Sequence, residues 1–196
     1  MGNKTLLLFA FIGIIFMVSC RNQTHCPEFS GDDMEHFPYR SGDTLCFVNA
    51  DSEYLKLVVP EISVSDSYCY ECNDLNGICN CERYAEARFS VVPEGLKPVL
   101  LKLVIFSSNQ SYRYYYSVYG FEFELDFENE APYVYMMPEF DYLGNYVVSD
   151  SMFTKVYRAI NLNYPESNVQ HVFFSKNAGI IRIDEKQNGN IWQLKP

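Results

Sequence analysis

Phe121-Glu122-Phe123-Glu124-Leu125-Asp126-Phe127-Glu128 alternates apolar and acidic residues without a break. In an extended chain successive side chains point to opposite faces. This octapeptide therefore reads as a strand with one face buried and the other in water. A parallel strand, covered on both sides, would be apolar at every position, so the pattern predicts an antiparallel sheet.

The neighbouring sequence repeats the signal. Upstream, residues 112–119 are dense in tyrosine, residues 98–106 form an apolar run and residues 87–92 another, with turns at Pro93-Glu94-Gly95 and 107–110. Nearer the start, Thr44–Val48 and residues 54–59 are joined through Asn49-Ala50-Asp51-Ser52, and Pro60 stops the second run because it has no amide to donate. Residues 61–67 extend as an edge. Downstream, residues 133–137 and 146–148 are shorter strand candidates. Residues 152–160 carry apolar side chains at 152, 153, 156, 157 and 160, a helical spacing that Ser149-Asp150-Ser151 would cap. Val156 and Tyr157 favour a strand there, and strand is the reading taken. Val169–Ser175, residues 180–184 and Ile191–Leu194 complete the series, the last two turned by Asn188-Gly189. Roughly ten short strands with frequent turns predict an all-β, mainly antiparallel domain. Its expected form is a single curved sheet, as a half-barrel or sandwich-like fold.

The N-terminus has a different character. Lys4 precedes an apolar run at residues 6–18, followed by Ser19 and Cys20. This is a secretory leader. Thirteen residues at about 1.5 Å each reach roughly 20 Å, short of a ~30 Å bilayer core, so a spanning helix is disfavoured. A cysteine just after a small residue resembles the bacterial lipoprotein signal. That resemblance implies that Cys20 carries a diacylglycerol and becomes the mature N-terminus. Met17 stands where that motif prefers leucine. Arg21 is not aspartate, so the inner-membrane retention signal is missing and the outer membrane is expected. No acidic run follows Cys20, which favours the periplasmic face over the cell surface. The expected organisation is a signal peptide at 1–19, a lipidated cysteine and polar tether at 20–41, and a β domain at 42–196.

Two further stretches, Gly42-Asp43-Thr44-Leu45-Cys46-Phe47 and Phe173-Phe174-Ser175-Lys176-Asn177-Ala178-Gly179-Ile180-Ile181, are similar to small lipoproteins of Gram-negative gut anaerobes. The resemblance implies a curved antiparallel sheet and an envelope location. It carries no catalytic residue.

Beyond Cys20 there are Cys26, Cys46, Cys69, Cys72, Cys79 and Cys81, the last four spaced C-x2-C-x6-C-x-C. In an exported domain these read first as structural disulfides. Asn76-Gly77 would turn the four-cysteine segment into a hairpin and leave Cys26–Cys46 as the remaining pair. The alternative is a zinc site of Cys69, Cys72, Cys79 and Cys81. A redox centre is disfavoured by Glu71, Asp74 and Glu82, which oppose thiolate formation.

Loss of Lys4 with the leader takes the formal charge from −10 to −11. An acidic chain is not drawn to nucleic acid. No glycine-rich phosphate loop, His-Glu-x-x-His or Gly-x-Ser-x-Gly occurs, so neither cofactor nor catalytic motif is expected. A hydrolase would have to use His171 as its base. The acidic face of residues 122–128 is a flat row that converges poorly on a calcium ion and reads as solvated. Tyr112, Tyr114 and Tyr116 are candidates to stack on a sugar, although core packing is the commoner use of such residues. The expectation is a lipid-anchored, non-catalytic envelope domain that binds a protein partner, a glycan or an apolar ligand. Replacing Cys20 with alanine should move the protein from the membrane fraction to the soluble one; a variant that stays membrane-bound and uncleaved would refute lipidation.

Overall fold

The computed structural model describes residues 26, 28–73, 78–92, 99–106, 111–126 and 139–195, with backbone alone for 70–73, 78–80, 103–106, 111 and 126. The chain forms a single, strongly curled antiparallel sheet, a half-barrel. Among the described residues thirteen strands build it: β1 (Thr44–Val48), β2 (Tyr54–Val58), β3 (Ile62–Val64), β4 (Tyr68–Asn73), β5 (Ile78–Val92), β6 (Val99–Phe106), β7 (Ser111–Val118), β8 (Phe121–Asp126), β9 (Glu139–Val148), β10 (Ser151–Ile160), β11 (Val169–Ser175), β12 (Gly179–Glu185) and β13 (Ile191–Leu194). The spatial order is β8-β7-β6-β5-β2-β1-β13-β12-β11-β10-β9, with β3 and β4 pairing β5 opposite β6, along the edge that β2 pairs only at residues 90–92. The last strand thus lies between β1 and β12, where Val48 faces Gln193 and Arg182 faces Gln193 from the other side.

The alternation that predicted β8 is observed: Phe121, Phe123 and Leu125 are buried, whereas Glu122 and Glu124 are half-exposed. Phe127 and residues 133–137 lie outside the described residues. Tyr119-Gly120 and Ser149-Asp150 all have positive φ, the conformation of two-residue hairpin turns whose twist matches the strands. Ser149-Asp150 therefore turns β9 into β10 rather than capping a helix. The helical spacing in β10 has a local cause. The register shifts between Phe153 and Val156, and Lys155 has φ +51. A bulge inserts a residue, so Phe153 and Val156 share one face while Tyr157 and Ala159 take the other.

Curling brings the two halves of the sheet face to face. Tyr116 on β7 stacks on Phe174 of β11 at 5.7 Å, Phe123 on Phe174 at 5.4 Å, and Tyr157 on Phe174 at 5.9 Å. The concave side is thus a packed aromatic core. A smaller cluster of Val148, Val156, Phe173 and Ile181 lies on the opposite face.

The segment expected to be a tether is corrected from residue 28 onward. A short helix, α1 (Gly31–Met34), is capped reciprocally: the Asp33 amide donates to Ser30 Oγ at 3.2 Å, and the Ser30 amide donates to the Asp33 carboxylate at 2.8 Å. Arg83 of β5 donates to the same carboxylate at 3.1 and 3.2 Å. Burial pushes the Asp33 carboxyl up, but the Arg83 and Ser30 hydrogen bonds outweigh it and hold it below the ordinary 3.8. This pair stabilises the fold above the carboxyl range and is lost as pH falls through the lowered value.

Beyond α1, Phe37 and Tyr39 are buried in the main core, and the Tyr39 ring meets Phe89 edge-on at 5.0 Å. Its hydroxyl accepts the Ile180 amide at 2.7 Å. Ile180 lies at a bulge, where the β11–β12 register shifts between Phe173 and Phe174. Gly179, at φ +68, leaves room for the phenol, since a Cβ there would fall inside the Tyr39 ring. Composition hid this role, because the apolar residues of 28–41 are few and scattered among polar ones. Tyr39→Ala should cost about 3–5 kcal/mol in urea unfolding, and Tyr39→Phe about 1–3 kcal/mol for the orphaned amide. Losses below about 0.5 kcal/mol in both would mean the segment is not part of the core.

Candidate functional site

The tyrosines of β7 are divided by its pleat. Tyr114 and Tyr116 are 1% and 0% exposed, so they are core residues and not a stacking platform for sugars. Burial pushes the Tyr116 phenol well above its ordinary value and keeps it neutral, and its hydroxyl has no hydrogen-bond partner among the described residues. The Tyr114 hydroxyl donates to the His36 carbonyl at 2.9 Å. Tyr112, half-buried, stacks flat on the His36 ring with centroids 3.9 Å apart. Two of the three candidate tyrosines thus fix His36 from behind.

His36 lies on the wall of an open groove of about 530 Å³ lined by Glu35, His36, Phe37, Pro38, Arg40, Asp43, Lys176 and Asn177. Each side is built by local geometry. The Asp43 carboxylate accepts the Arg40 amide at 2.7 Å, and the Gly42 amide, at φ +93, donates to the Val59 carbonyl at 2.7 Å. Opposite, the Ser175 hydroxyl accepts the Ala178 amide at 3.2 Å and closes the turn that carries Lys176 and Asn177. The two stretches quoted above for their lipoprotein likeness, 42–47 and 173–181, meet at this groove. Sequence reasoning missed Arg40 and Lys176, because two isolated cations 136 positions apart carry no spacing signal.

The groove's arginine is unusual among the described arginines. Arg83, Arg88, Arg113, Arg158 and Arg182 are ion-paired with Asp33, Glu86, Glu124, Asp141 and Asp184. Arg40 is the described arginine whose guanidinium has no carboxylate partner, and the Lys176 ammonium likewise has none among the described residues.

His171 is held differently. Its Nδ1 lies 3.1 Å from the Asp184 carboxylate, which also receives Arg182 at 2.7 and 3.0 Å. Arg182 donates in addition to the Tyr146 hydroxyl at 2.9 Å and lies over the Phe173 ring at 4.6 Å. A His–Asp pair is present, but Asp184 is shared with a guanidinium. Among the described residues no serine, threonine or cysteine is hydrogen-bonded to His171.

The cysteines fall into two groups by register. Cys69 faces Cys81 and Cys72 faces Cys79 across the β4–β5 hairpin that Asn76-Gly77 predicted. The sulfurs of Cys72 and Cys79 lie outside what is described, and with them the four-thiolate zinc arrangement. The expected Cys26–Cys46 pair is corrected: Cys26 is bonded to Cys81, with Cα atoms 5.6 Å apart. The β4–β5 hairpin, not β1, carries the cysteine nearest to Cys26, and Cys46 keeps its thiol. Cys26, Cys69 and Cys81 place their three sulfurs within 4.8 Å of one another.

No known protein family, curated protein sequence or solved structure matches this chain. Among the described residues no helix is long and apolar enough to cross a membrane.

Proposed function

We propose that this chain is a lipid-anchored envelope domain, held to the outer membrane through Cys20 and facing the periplasm, that binds a polar ligand without catalysis. The reading of its N-terminus rests on the leader and on the likeness to gut-anaerobe lipoproteins. The reading of its activity rests on one observation: Arg40 and Lys176, neither with a carboxylate partner among the described residues, line one groove together with Glu35 and Asp43, and its walls are fixed by Tyr112, Tyr114, Ser175 and Asp43. Every other described arginine has its carboxylate. A cationic pair left open to solvent in an acidic protein suits an anionic group, and the stacked His36–Tyr112 pair and Asn177 suit a sugar ring beside it. An acidic saccharide is therefore the favoured ligand. An apolar ligand is disfavoured because stacked rings fill the concave face.

The hydrolase alternative has no serine, threonine or cysteine hydrogen-bonded to His171 among the described residues, and its Asp184 serves Arg182 as well. Uronic-acid and neutral oligosaccharides of equal length, titrated by calorimetry, separate these readings. Acidic probes should bind and neutral ones should not. Arg40→Ala and Lys176→Ala should each weaken binding by about 10–100-fold, the worth of a charged hydrogen bond, with the melting temperature unchanged. Equal binding by both variants would remove the groove from the proposal. Hydrolysis of a probe that disappears in His171→Ala would make the protein an enzyme.

A further inference from the structure

The chain is tied to one margin of the sheet very close to its expected lipid anchor. Cys26 is bonded to Cys81, and Asp33 is ion-paired with Arg83 at 3.1 Å, so both ties reach the first half of β5. Only the five residues from Arg21 to His25 separate Cys26 from Cys20. Fully extended, that connection spans roughly 20 Å, whereas a domain of this size is about 40 Å across. So short a leash keeps the Cys26 side of the domain towards whatever surface holds Cys20. That side is the outer margin of β5, built by β3 and β4. Two apolar side chains stand out on it, Val64 at 51% exposed and Tyr68 at 45%. Val64 pairs with Ala85, which faces the core, and Tyr68 pairs with Glu82, three residues earlier and so on the opposite face of β5. Each face of the margin thus carries an exposed apolar group near the clamp. The charged side chains beside them, Glu61, Asp66 and Glu82, are all acidic.

We propose that the β3–β4 margin is a membrane-contact surface that rests against zwitterionic lipid headgroups. The proposal depends on Cys20 being the lipidated residue and is independent of the groove. A short leash holds the margin at high local concentration beside the bilayer, so a contact that would be weak for a free domain is populated. Tyrosine suits the headgroup boundary, with its ring in the apolar layer and its hydroxyl in water, and valine adds aliphatic area. The acidic neighbours are repelled by an anionic surface, which selects a neutral one. The contact sets the orientation of the whole half-barrel: the disulfide and the Asp33–Arg83 pair turn a flexible lipid attachment into a fixed face.

Tryptophan quenching tests it, with the full-length lipidated protein reconstituted on phosphatidylcholine vesicles brominated near the top of the acyl chains. Val64→Trp and Tyr68→Trp each add an indole to the single native tryptophan, Trp192, which is buried and supplies the wild-type background. Met152→Trp is the comparison, at a 68% exposed position on β10, a strand that pairs with none of β3, β4 and β5. Melting temperatures equal to wild type show that the variants are folded. The added emission at 64 and 68 should shift to shorter wavelength and be lost to bromine, while that at 152 is retained. Mixing phosphatidylglycerol into the vesicles should reduce the loss. No loss at 64 and 68 beyond that at 152, in protein that floats with the vesicles, would overturn the contact and leave lipidation standing. Loss that grows with phosphatidylglycerol would overturn the assignment to a neutral surface. Protein that stays off the vesicles, with the mass of an unacylated chain, would overturn the lipidation reading and the contact with it.

Discussion

The Tyr39 hydroxyl accepting the Ile180 amide is the contact on which the rest of the arrangement depends. A half-barrel must bend, and here β11 and β12 change register at Phe173–Phe174, which takes the Ile180 amide out of the regular ladder. A buried amide without a partner costs about 1–3 kcal/mol. Tyr39 supplies the acceptor, Gly179 supplies the space, and the ring fills the concave side against Phe89. The stretch before the first strand is therefore part of the core. Its other end is fixed by the Asp33–Arg83 pair, in which both side chains are largely buried. Replacing either member would leave the other charge without a partner, and this makes the α1 attachment sensitive to change.

The groove follows from that core. Residues 35–43 run on from α1 through Tyr39 and line the groove with the Lys176-Asn177 turn, which Gly179 follows. Tyr112 and Tyr114, on the opposite half of the sheet, brace His36. Residues from three distant parts of the chain thus form one wall system. Of the carboxylates nearby, Asp43 accepts the Arg40 amide and Asp33 binds Arg83, whereas Glu35 lines the groove with the two cations.

Much of the fold was legible where burial is one-sided. β1, β11 and β13 have the boundaries expected from hydrophobic runs and turns, and β8 shows the alternation at full strength. What failed to show in sequence involves either irregular backbone or long-range placement. Lys155 disguises β10 as a helix, because a bulge turns period two into period three locally. β5 is fifteen residues long, and its polar first half, from Ile78 to Glu86, lacks the apolar signature of its second half. The inward turn of Tyr114 and Tyr116 was the commoner expectation, yet no local signal showed that residues 36–39 would cover them. The partner of Cys26 depended on which strand lies beside the N-terminal segment, which spacing alone does not encode. The groove was the least legible feature, since it owes its existence to the path of 35–43 over the sheet.

The central claim is that residues 28–41 fold with the sheet as one unit. Native-state hydrogen exchange measures this directly. The amides of Phe37 and Ile180 should be protected to within about 1 kcal/mol of the slowest-exchanging amides of β11 and β12, as expected when they open only with global unfolding. Phe37 donates to the Met34 carbonyl and Ile180 to Tyr39, so both bonds report on the segment. Exchange of both amides at rates near those of an unstructured chain, while β11 and β12 remain protected, would contradict the account.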